Sequence, residues 1–314
     1  MMLDRDAAQM LEAIASAARP PWDALSPEEA RASYMAGREA TMPAPMPVAE
    51  VRDIAIPGPH GAIPLRLYRP ATAPASGSPA LAFFHGGGWV LGNLESHDGV
   101  CRHLAGRSGC VVVAVDYRLA PEHKFPGALD DAFAATRWLA AEALALGLDP
   151  TRLAVGGDSA GGNLAAAACL LAREAGGSPA IAFQLLLYPA TDFAMDTGSH
   201  RSFGEGHLLT RANMVWFRDH YLNHPGEAAD WRASPLRAAS LAGLPPAYVL
   251  TASHDPLRDE GEAFALRLVE AGIPVTLWRV PGLIHGFLPM GKAIAASGAA
   301  LDRVAAALRA GLAG

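Results

Sequence analysis

A serine flanked by glycines stands near the middle of the sequence, in the run Gly157-Asp158-Ser159-Ala160-Gly161. This run fits the pattern G-x-S-x-G, in which a sharp turn from a strand into a helix exposes a nucleophilic serine. Gly157 and Gly161 would approach neighbouring backbone too closely for a β-carbon. An apolar stretch precedes the run and an alanine-rich stretch follows it. The run alone could be a glycine-rich helix start, but this context favours a nucleophilic Ser159.

Asp255 and His285 each follow a later apolar, strand-like run, at 246–251 and 275–280. The carboxyl ends of parallel strands meet at one edge of a sheet, so these side chains can converge with Ser159. A serine hydroxyl attacks poorly until a base takes its proton, which predicts His285 as general base and then general acid. Asp255 would hold the other ring N–H. Alone, Asp255 could cap a helix and His285 could be a buried histidine, but their joint positions favour catalysis.

Three glycines follow the strand-like run 80–84, in His85-Gly86-Gly87-Gly88-Trp89. Acyl transfer passes through a tetrahedral intermediate with an oxyanion, which backbone N–H groups can stabilise. Glycines let such N–H groups approach closely, and the N–H of Ala160 would come from the start of the helix after Ser159. The glycines alone could be a flexible loop, but their place at a strand end favours an oxyanion site.

Alternating strand and helix patterns must position these residues. Six continuous apolar runs predict strands buried on both faces, at 80–84, 110–115, 152–156, 181–187, 246–251 and 275–280. Helix-like runs lie at about 98–107, 127–146, 160–175, 259–271 and 293–312. An alternating hairpin at 50–56 and 63–68 precedes them. The sequence therefore predicts an α/β fold with an eight-stranded, mostly parallel sheet flanked by helices.

Two helical segments stand outside this alternation. Residues 3–17 read as an amphipathic helix, and Ser26 with Glu29 forms the pattern of a capping box that starts another. Residues 190–235 hold no convincing strand, which predicts a helical insertion over the carboxyl ends of the strands. We expect residues 1–314 to form one domain.

The composition argues against several other classes of protein. The 314 residues carry 25 basic and 31 acidic side chains, a net charge of −6, so we expect no nucleic-acid partner. Charged residues at positions 4–6 interrupt the N-terminus, which does not resemble a signal peptide. No stretch reaches the ~18 continuous apolar residues of a membrane span.

The three cysteines, Cys101, Cys110 and Cys169, are an odd number, and the last two lie in apolar runs. This predicts buried free thiols in a reducing compartment. A cytoplasmic location is the expectation.

The sequence resembles the bacterial hormone-sensitive-lipase-like (family IV) esterases of the α/β-hydrolase fold. The order Ser, Asp, His is that of α/β-hydrolases. The matching stretches are His85 to Trp89, Asp116 to Glu122, Gly157 to Gly162, Tyr188-Pro189, Asp255 to Glu260 and His285-Gly286-Phe287. The resemblance implies a catalytic triad of Ser159, Asp255 and His285. It implies an oxyanion hole of Gly87, Gly88 and Ala160, with motif support from His85, Gly86, Gly157, Asp158 and Gly161.

The resemblance also implies a cap built from residues 1–45 and about 190–235. His85 would shape the oxyanion loop, and residues 116–122 would brace it. Many members dimerise through an edge strand, so 275–280 is a candidate, and we expect a monomer or a homodimer.

By the same resemblance, the substrate is a small-molecule carboxylic ester with a short to medium acyl chain. A cap over the serine disfavours long triglycerides. Trp89, Leu208 and Phe287 are candidates for the pocket wall, with ordinary core packing as the alternative for each.

Other functions remain open at this point. The same triad would serve amide or aryl-acetamide deacylation, and a non-enzymatic ligand receptor of the same fold would be expected to lack His285. A dinucleotide site at 156–162 does not fit, because Asp158 takes the place of the second glycine. We expect no cofactor and no metal. Four histidines in the insertion do not fit H-E-x-x-H and favour surface positions: His200, His207, His220 and His224.

Overall fold

The predicted strands form one eight-stranded sheet in the computed structural model, which describes residues 2–17 and 20–313. The strands are β1 (Glu50–Gly58), β2 (Gly61–Arg69), β3 (Ser78–Phe84), β4 (Val111–Val115), β5 (Leu148–Asp158), β6 (Phe183–Leu187), β7 (Ala247–His254) and β8 (Val275–Ile284). Their spatial order is β1-β2-β4-β3-β5-β6-β7-β8. β1 and β2 pair antiparallel, as do β2 and β4, and all other neighbours are parallel. The predicted fold class is confirmed.

Nine α-helices accompany the sheet within the described residues. They are α1 (Arg5–Ser16), α2 (Pro27–Thr41), α3 (Leu94–Ser108), α4 (Gly127–Ala141), α5 (Ala160–Glu174), α6 (Gly198–Phe203), α7 (Arg211–Tyr221), α8 (Arg258–Glu270) and α9 (Ala296–Gly311). The third helix begins earlier than its apolar pattern predicts, because Asn93 and Ser96 form a capping box. None of the helices in the described ranges has the length and apolarity that crossing a membrane requires.

The sheet separates two hydrophobic layers, and its strands alternate between them. On β3, Ala80, Ala82 and Phe84 face one layer, whereas Leu81 and Phe83 face the other. Helices α4 and α5 complete the first layer, and α3 and α9 complete the second. Because strands β3, β4 and β6 are buried along their whole length, they read in the sequence as continuous apolar runs.

The N-terminal segment and the insertion meet beside the carboxyl ends of the strands. The predicted capping box at Ser26 and Glu29 starts α2. The Trp22 ring lies 6.0 Å from that of Phe217 on α7. The Asn213 side chain on α7 donates to Asp23 at 3.3 Å. The N-terminal segment and the insertion therefore contact each other through α7.

The predicted state of the cysteines is also confirmed. Cys101, Cys110 and Cys169 are buried and free, and burial raises the pKa of each thiol.

Candidate active site

Ser159 lies on the tight turn between β5 and α5. Its φ of 56° is in the left-handed region, which a residue with a β-carbon rarely adopts. A Cβ at Gly161 would stand 1.8 Å from the carbonyl oxygen of Phe84, and one at Gly157 would stand 2.3 Å from the same oxygen. The two glycines therefore let the turn pack against the end of β3, which leaves the serine at the edge of the sheet.

A chain of hydrogen bonds joins Ser159, His285 and Asp255. The Ser159 Oγ lies 2.8 Å from His285 Nε2, and His285 Nδ1 lies 2.7 Å from Asp255 Oδ2. The backbone N–H of Leu257 donates to Asp255 Oδ1 at 2.7 Å, so both carboxylate oxygens have a donor. Asp255 is wholly buried. In this geometry the serine hydroxyl can donate to a neutral imidazole whose other N–H is held by the carboxylate.

Tyr188 packs against the imidazole from the end of β6. Its ring stands edge-on to His285, with 5.0 Å between the ring centroids. Burial raises the pKa of Tyr188 well above its ordinary value, so its ring stays neutral. The ring thus limits how the imidazole can turn away from Ser159.

The glycine loop after β3 faces the serine. Gly87 and Gly88 have φ of 128° and 60°, which glycine adopts without strain. Both residues and Ala160 line the same cavity as Ser159. Within the described parts of the chain, the N–H groups of these three residues donate to no protein acceptor. They are therefore free to bind an oxygen of a ligand.

Asp158 links the glycine loop after β3 to the turn that carries Ser159. Its Oδ1 accepts from the N–H of Gly86 at 2.8 Å and lies 3.1 Å from His97 Nε2. Burial favours the neutral acid, but the charges of His97 and Arg38 and the N–H of Gly86 outweigh it and lower the pKa of Asp158. The residue is therefore a buried carboxylate that fixes the start of the loop.

His85 supports the loop from inside the protein. Its ring stacks on Tyr117 with 4.3 Å between centroids, and its Nδ1 lies 3.0 Å from the carbonyl oxygen of Gly86. Burial lowers the pKa of His85 to about 3, so its ring is neutral at physiological pH. The hydroxyl of Tyr117 also donates to the His85 carbonyl at 2.7 Å.

Arg31 on α2 fastens the N-terminal segment to the far side of the loop. Its guanidinium donates to both oxygens of Glu122 at 2.7 and 2.6 Å. It also donates to the carbonyls of Val90 and Ala120, each at 2.9 Å. The segment 116–122 thus contacts the loop through Tyr117 and connects it to α2.

This contact predicts an effect of pH on stability. The hydrogen bonds from Arg31 lower the pKa of Glu122 from 4.5 to about 2. Because the folded-state pKa is depressed, the stabilisation is complete above about pH 4.5 and is lost as the pH falls through about 2. Glu122→Gln should therefore lower Tm at pH 7 relative to wild type. Both side chains are partly exposed, so we expect less than about 1 kcal/mol, or roughly 2–4 °C at most.

Thermal melts followed by circular dichroism from pH 7 to pH 2 measure this difference. The difference in Tm between Glu122→Gln and wild type should shrink between pH 4.5 and pH 2. The control Glu142→Gln, at an exposed position, should keep a Tm close to that of wild type at every pH. A difference that is the same at every pH would contradict the assignment to the carboxylate charge.

The cavity above Ser159 has a volume of about 90 Å³. Its wall is mainly aromatic and aliphatic, with contributions from Trp22, Tyr34, Trp89, Leu208, Met214 and Phe217. Polar side chains that the sequence did not single out also line it, namely Arg38, Asn163, Asp192 and Glu260. Glu260 ends the stretch from Asp255 that carries the family resemblance, although no role was predicted for it. The other three carry no local signal, because they reach the cavity from separate helices and loops.

The prediction for Phe287 is wrong. Trp89 and Leu208 line the cavity, but Phe287 does not. Gly286 has a φ of 69°, which turns the chain after His285. Phe287 is consequently wholly buried in the second hydrophobic layer, where its ring lies 5.9 Å from that of Tyr188.

The histidines of the insertion do not form a metal cluster. Across residues 2–17 and 20–313, no group of three or more His, Cys, Asp or Glu side chains is placed to hold a metal ion. The expectation of surface positions fails for His200, which is buried with its Nε2 3.3 Å from Glu260 Oε2. His224, by contrast, is well exposed.

Comparisons with known proteins show the family of the chain. A family model described as alpha/beta hydrolase fold matches residues 81–289. The chain is 47% identical over 276 residues to the carboxylic ester hydrolase LipN of Mycobacterium tuberculosis, covering 86% of this chain and 73% of LipN. It is 43% identical to the ethyl acetate hydrolase of Pseudomonas putida, covering 79% and 78% of the two chains.

Solved structures give the same result at the level of the fold. An ester hydrolase from the metagenome of Lake Arreo superposes with a TM-score of 0.96 at 44% identity, covering 98% of this chain and 99% of the other. A hyperthermophilic esterase from Pyrobaculum calidifontis superposes with a TM-score of 0.93 at 40% identity, covering 99% of each chain.

Proposed function

Because the chain belongs to the α/β-hydrolase family, in its hormone-sensitive-lipase-like (family IV) group, we propose that it hydrolyses carboxylic esters at Ser159. The observation that carries this proposal is the hydrogen-bonded chain from Ser159 through His285 to the buried Asp255, at the floor of a largely apolar cavity. The relatives are named as ester hydrolases, which favours esters over amides as substrates.

In this proposal, His285 takes the proton of Ser159 as the hydroxyl oxygen attacks the ester carbonyl carbon. The imidazolium that results is stabilised by Asp255 and gives its proton to the leaving alcohol. An acyl group then remains on Ser159. Water then attacks the acyl-enzyme while His285 takes one of its protons, and the imidazolium returns that proton to the leaving Ser159 Oγ as the carboxylic acid is released.

We assign the oxyanion hole to the N–H groups of Gly87, Gly88 and Ala160. Their freedom from protein acceptors supports this role. Ala160 is also the first residue of α5, where the helix dipole favours negative charge. Donors of this kind contribute roughly 10²–10³ in rate each.

We assign the cap to residues 1–45 and about 190–235. The contact between Trp22 and Phe217 supports this, because it joins the two segments over the cavity. A small cavity under a cap suits a substrate with a short to medium acyl chain rather than a long triglyceride.

We also propose a reducing, cytoplasmic location and a monomer or homodimer. The three free buried thiols support the location. For a dimer, the candidate surface is the edge strand β8, which carries the exposed Leu277 and has no partner strand on its outer side within the described chain.

Hydrolysis of p-nitrophenyl esters from acetate to palmitate tests the proposal. We expect the highest kcat/KM between acetate and octanoate and little turnover of palmitate, because the cap closes the acyl pocket. Rates that increase up to palmitate would contradict an enclosed pocket. The absence of turnover for every ester would contradict the proposed function.

A further inference from the structure

Glu260 is a buried carboxylate on the first turn of α8, shortly after Asp255, and the proposed reaction does not use it. Its side chain is 1% exposed and lines the active-site cavity. One oxygen, Oε1, accepts from the backbone N–H of Thr191 at 2.6 Å and of Asp192 at 3.1 Å. Those two residues begin the insertion after β6. The carboxylate therefore binds the insertion where it leaves the sheet.

The second oxygen of Glu260 faces another part of the insertion. Its Oε2 lies 3.3 Å from Nε2 of His200 on α6, and the other ring nitrogen of His200 lies 2.6 Å from Thr197 Oγ1. Burial raises the pKa of Glu260, whereas His200 and the N–H groups of Thr191 and Asp192 oppose that shift. Burying a carboxylate costs free energy unless its polar partners are in place. The contacts of Glu260 with Thr191, Asp192 and His200 therefore stabilise the fold only when they form together.

Helix α6 is also held directly to the segment that follows Asp255. The Ser199 hydroxyl donates to the carbonyl of Pro256 at 2.6 Å, and the Ser199 N–H donates to Asp259 at 2.7 Å. The insertion thus rests on the same short segment that supplies the catalytic carboxylate and Glu260.

The C-terminal end of the insertion contacts the residues at its N-terminal end. The Asn163 side chain on α5 donates to the carbonyls of Ala190 at 3.0 Å and Ala233 at 2.8 Å. The N–H of Leu236 donates to the Thr191 carbonyl at 3.0 Å. The entry and exit of the insertion therefore meet beside the cavity, and Glu260 holds the entry.

We propose that Glu260 is a positioning residue that fixes the base of the insertion and thereby sets how long an acyl chain the cavity accepts. This inference rests on the proposed esterase function. Without the carboxylate, the N–H groups of Thr191 and Asp192 lose their acceptor, and His200 loses the oxygen that lies 3.3 Å from its Nε2. The cavity wall at Ala190, Asp192 and Phe193 can then move outward, which favours longer acyl chains relative to acetate.

The test compares Glu260→Ala, Glu260→Asp and Glu260→Gln. For each we measure the ratio of kcat/KM for p-nitrophenyl octanoate to that for p-nitrophenyl acetate. The alanine and aspartate variants should raise this ratio by roughly ten-fold, the discrimination that a single methylene gives in an apolar pocket. The glutamine variant keeps an oxygen for both N–H groups, so its ratio should stay within about two-fold of wild type.

Glu262→Gln is the matched control, because Glu262 lies on the same helix but bonds Thr251 and Arg279 instead. Titration with a p-nitrophenyl phosphonate counts active sites in each sample. A partly unfolded variant has fewer titratable active sites, but its ratio of kcat/KM for octanoate to that for acetate is unchanged. Partial unfolding therefore cannot produce the predicted change in this ratio.

Hydrogen–deuterium exchange supplies a measurement that needs no turnover. Peptides covering 190–203 should exchange faster in the alanine and aspartate variants than in the glutamine variant or wild type. The proposal is overturned if ratio and exchange are unchanged in both variants, or if the glutamine variant shifts as much as they do. If the wild-type protein turned over no ester, the proposed function would be refuted instead. Hydrogen–deuterium exchange would still test whether Glu260 holds the base of the insertion.

Discussion

Replacing Ser159 with alanine is expected to lower kcat for p-nitrophenyl butanoate by about 10⁶, the size of loss seen when a triad serine is removed elsewhere. The physical reason is that, among the residues the structure describes, no other nucleophile lies within hydrogen-bonding distance of His285 Nε2, which contacts Ser159 at 2.8 Å. Without the hydroxyl, only direct attack by water on a bound ester remains. Binding and the oxyanion donors persist, so some rate enhancement over water should survive.

The alanine variant should fold like wild type, because the strained turn is fixed by Gly157, Gly161 and the packing of α5. Thermal melts and far-UV circular dichroism provide the control. Activity within about ten-fold of wild type, in protein purified free of wild-type enzyme, would contradict the assignment of Ser159 as nucleophile.

Asp255→Asn is expected to lower kcat by about 10⁴ with a smaller change in KM, as replacement of the corresponding triad aspartate does in a serine protease. The carboxylate accepts from His285 Nδ1 at 2.7 Å and so holds the proton on that nitrogen. An amide can instead turn its NH₂ group toward Nδ1, which favours the tautomer that cannot accept the serine proton. The buried imidazolium would also lose its counter-charge.

Steady-state kinetics normalised to active sites measure this effect. Asp302→Asn removes a carboxylate from a surface pair with His103 and serves as the control, with activity close to wild type. A loss of less than ten-fold in Asp255→Asn would mean that another group orients His285.

The sequence predicts the central strands well because β3, β4 and β6 are buried on both faces. The predicted burial of 275–280 is wrong, because these residues lie on the edge strand β8 and are largely exposed. Continuous apolar runs such as 110–115 and 181–187 are too short for buried helices and lie between helix-like segments, so a buried strand is the structure that they favour. Helix limits are less certain: the predicted helix 127–146 ends at Ala141, where the chain turns toward β5. The insertion is least predictable, since its helices are fixed by contacts with distant residues, α6 by Glu260 and α7 by Asp23.

The reacting residues could be located because each follows a recognisable strand and the chemistry restricts their types. Residues that shape the cavity could not be located in this way. Glu260 and Asn163 act through backbone atoms brought together only by folding. The wrong prediction for Phe287 has a related cause, because the turn at Gly286 reverses the expected direction of the next side chain.

The central claim is that Ser159 carries the acyl group during ester hydrolysis. Its most direct test is to quench wild-type protein during turnover of p-nitrophenyl acetate with acid and to map the acetylated peptide by mass spectrometry. We predict acetylation on the peptide that contains Ser159 in the wild-type protein, and none in Ser159→Ala. Acetylation at another residue together with full turnover, or unchanged acetylation in Ser159→Ala, would contradict the claim.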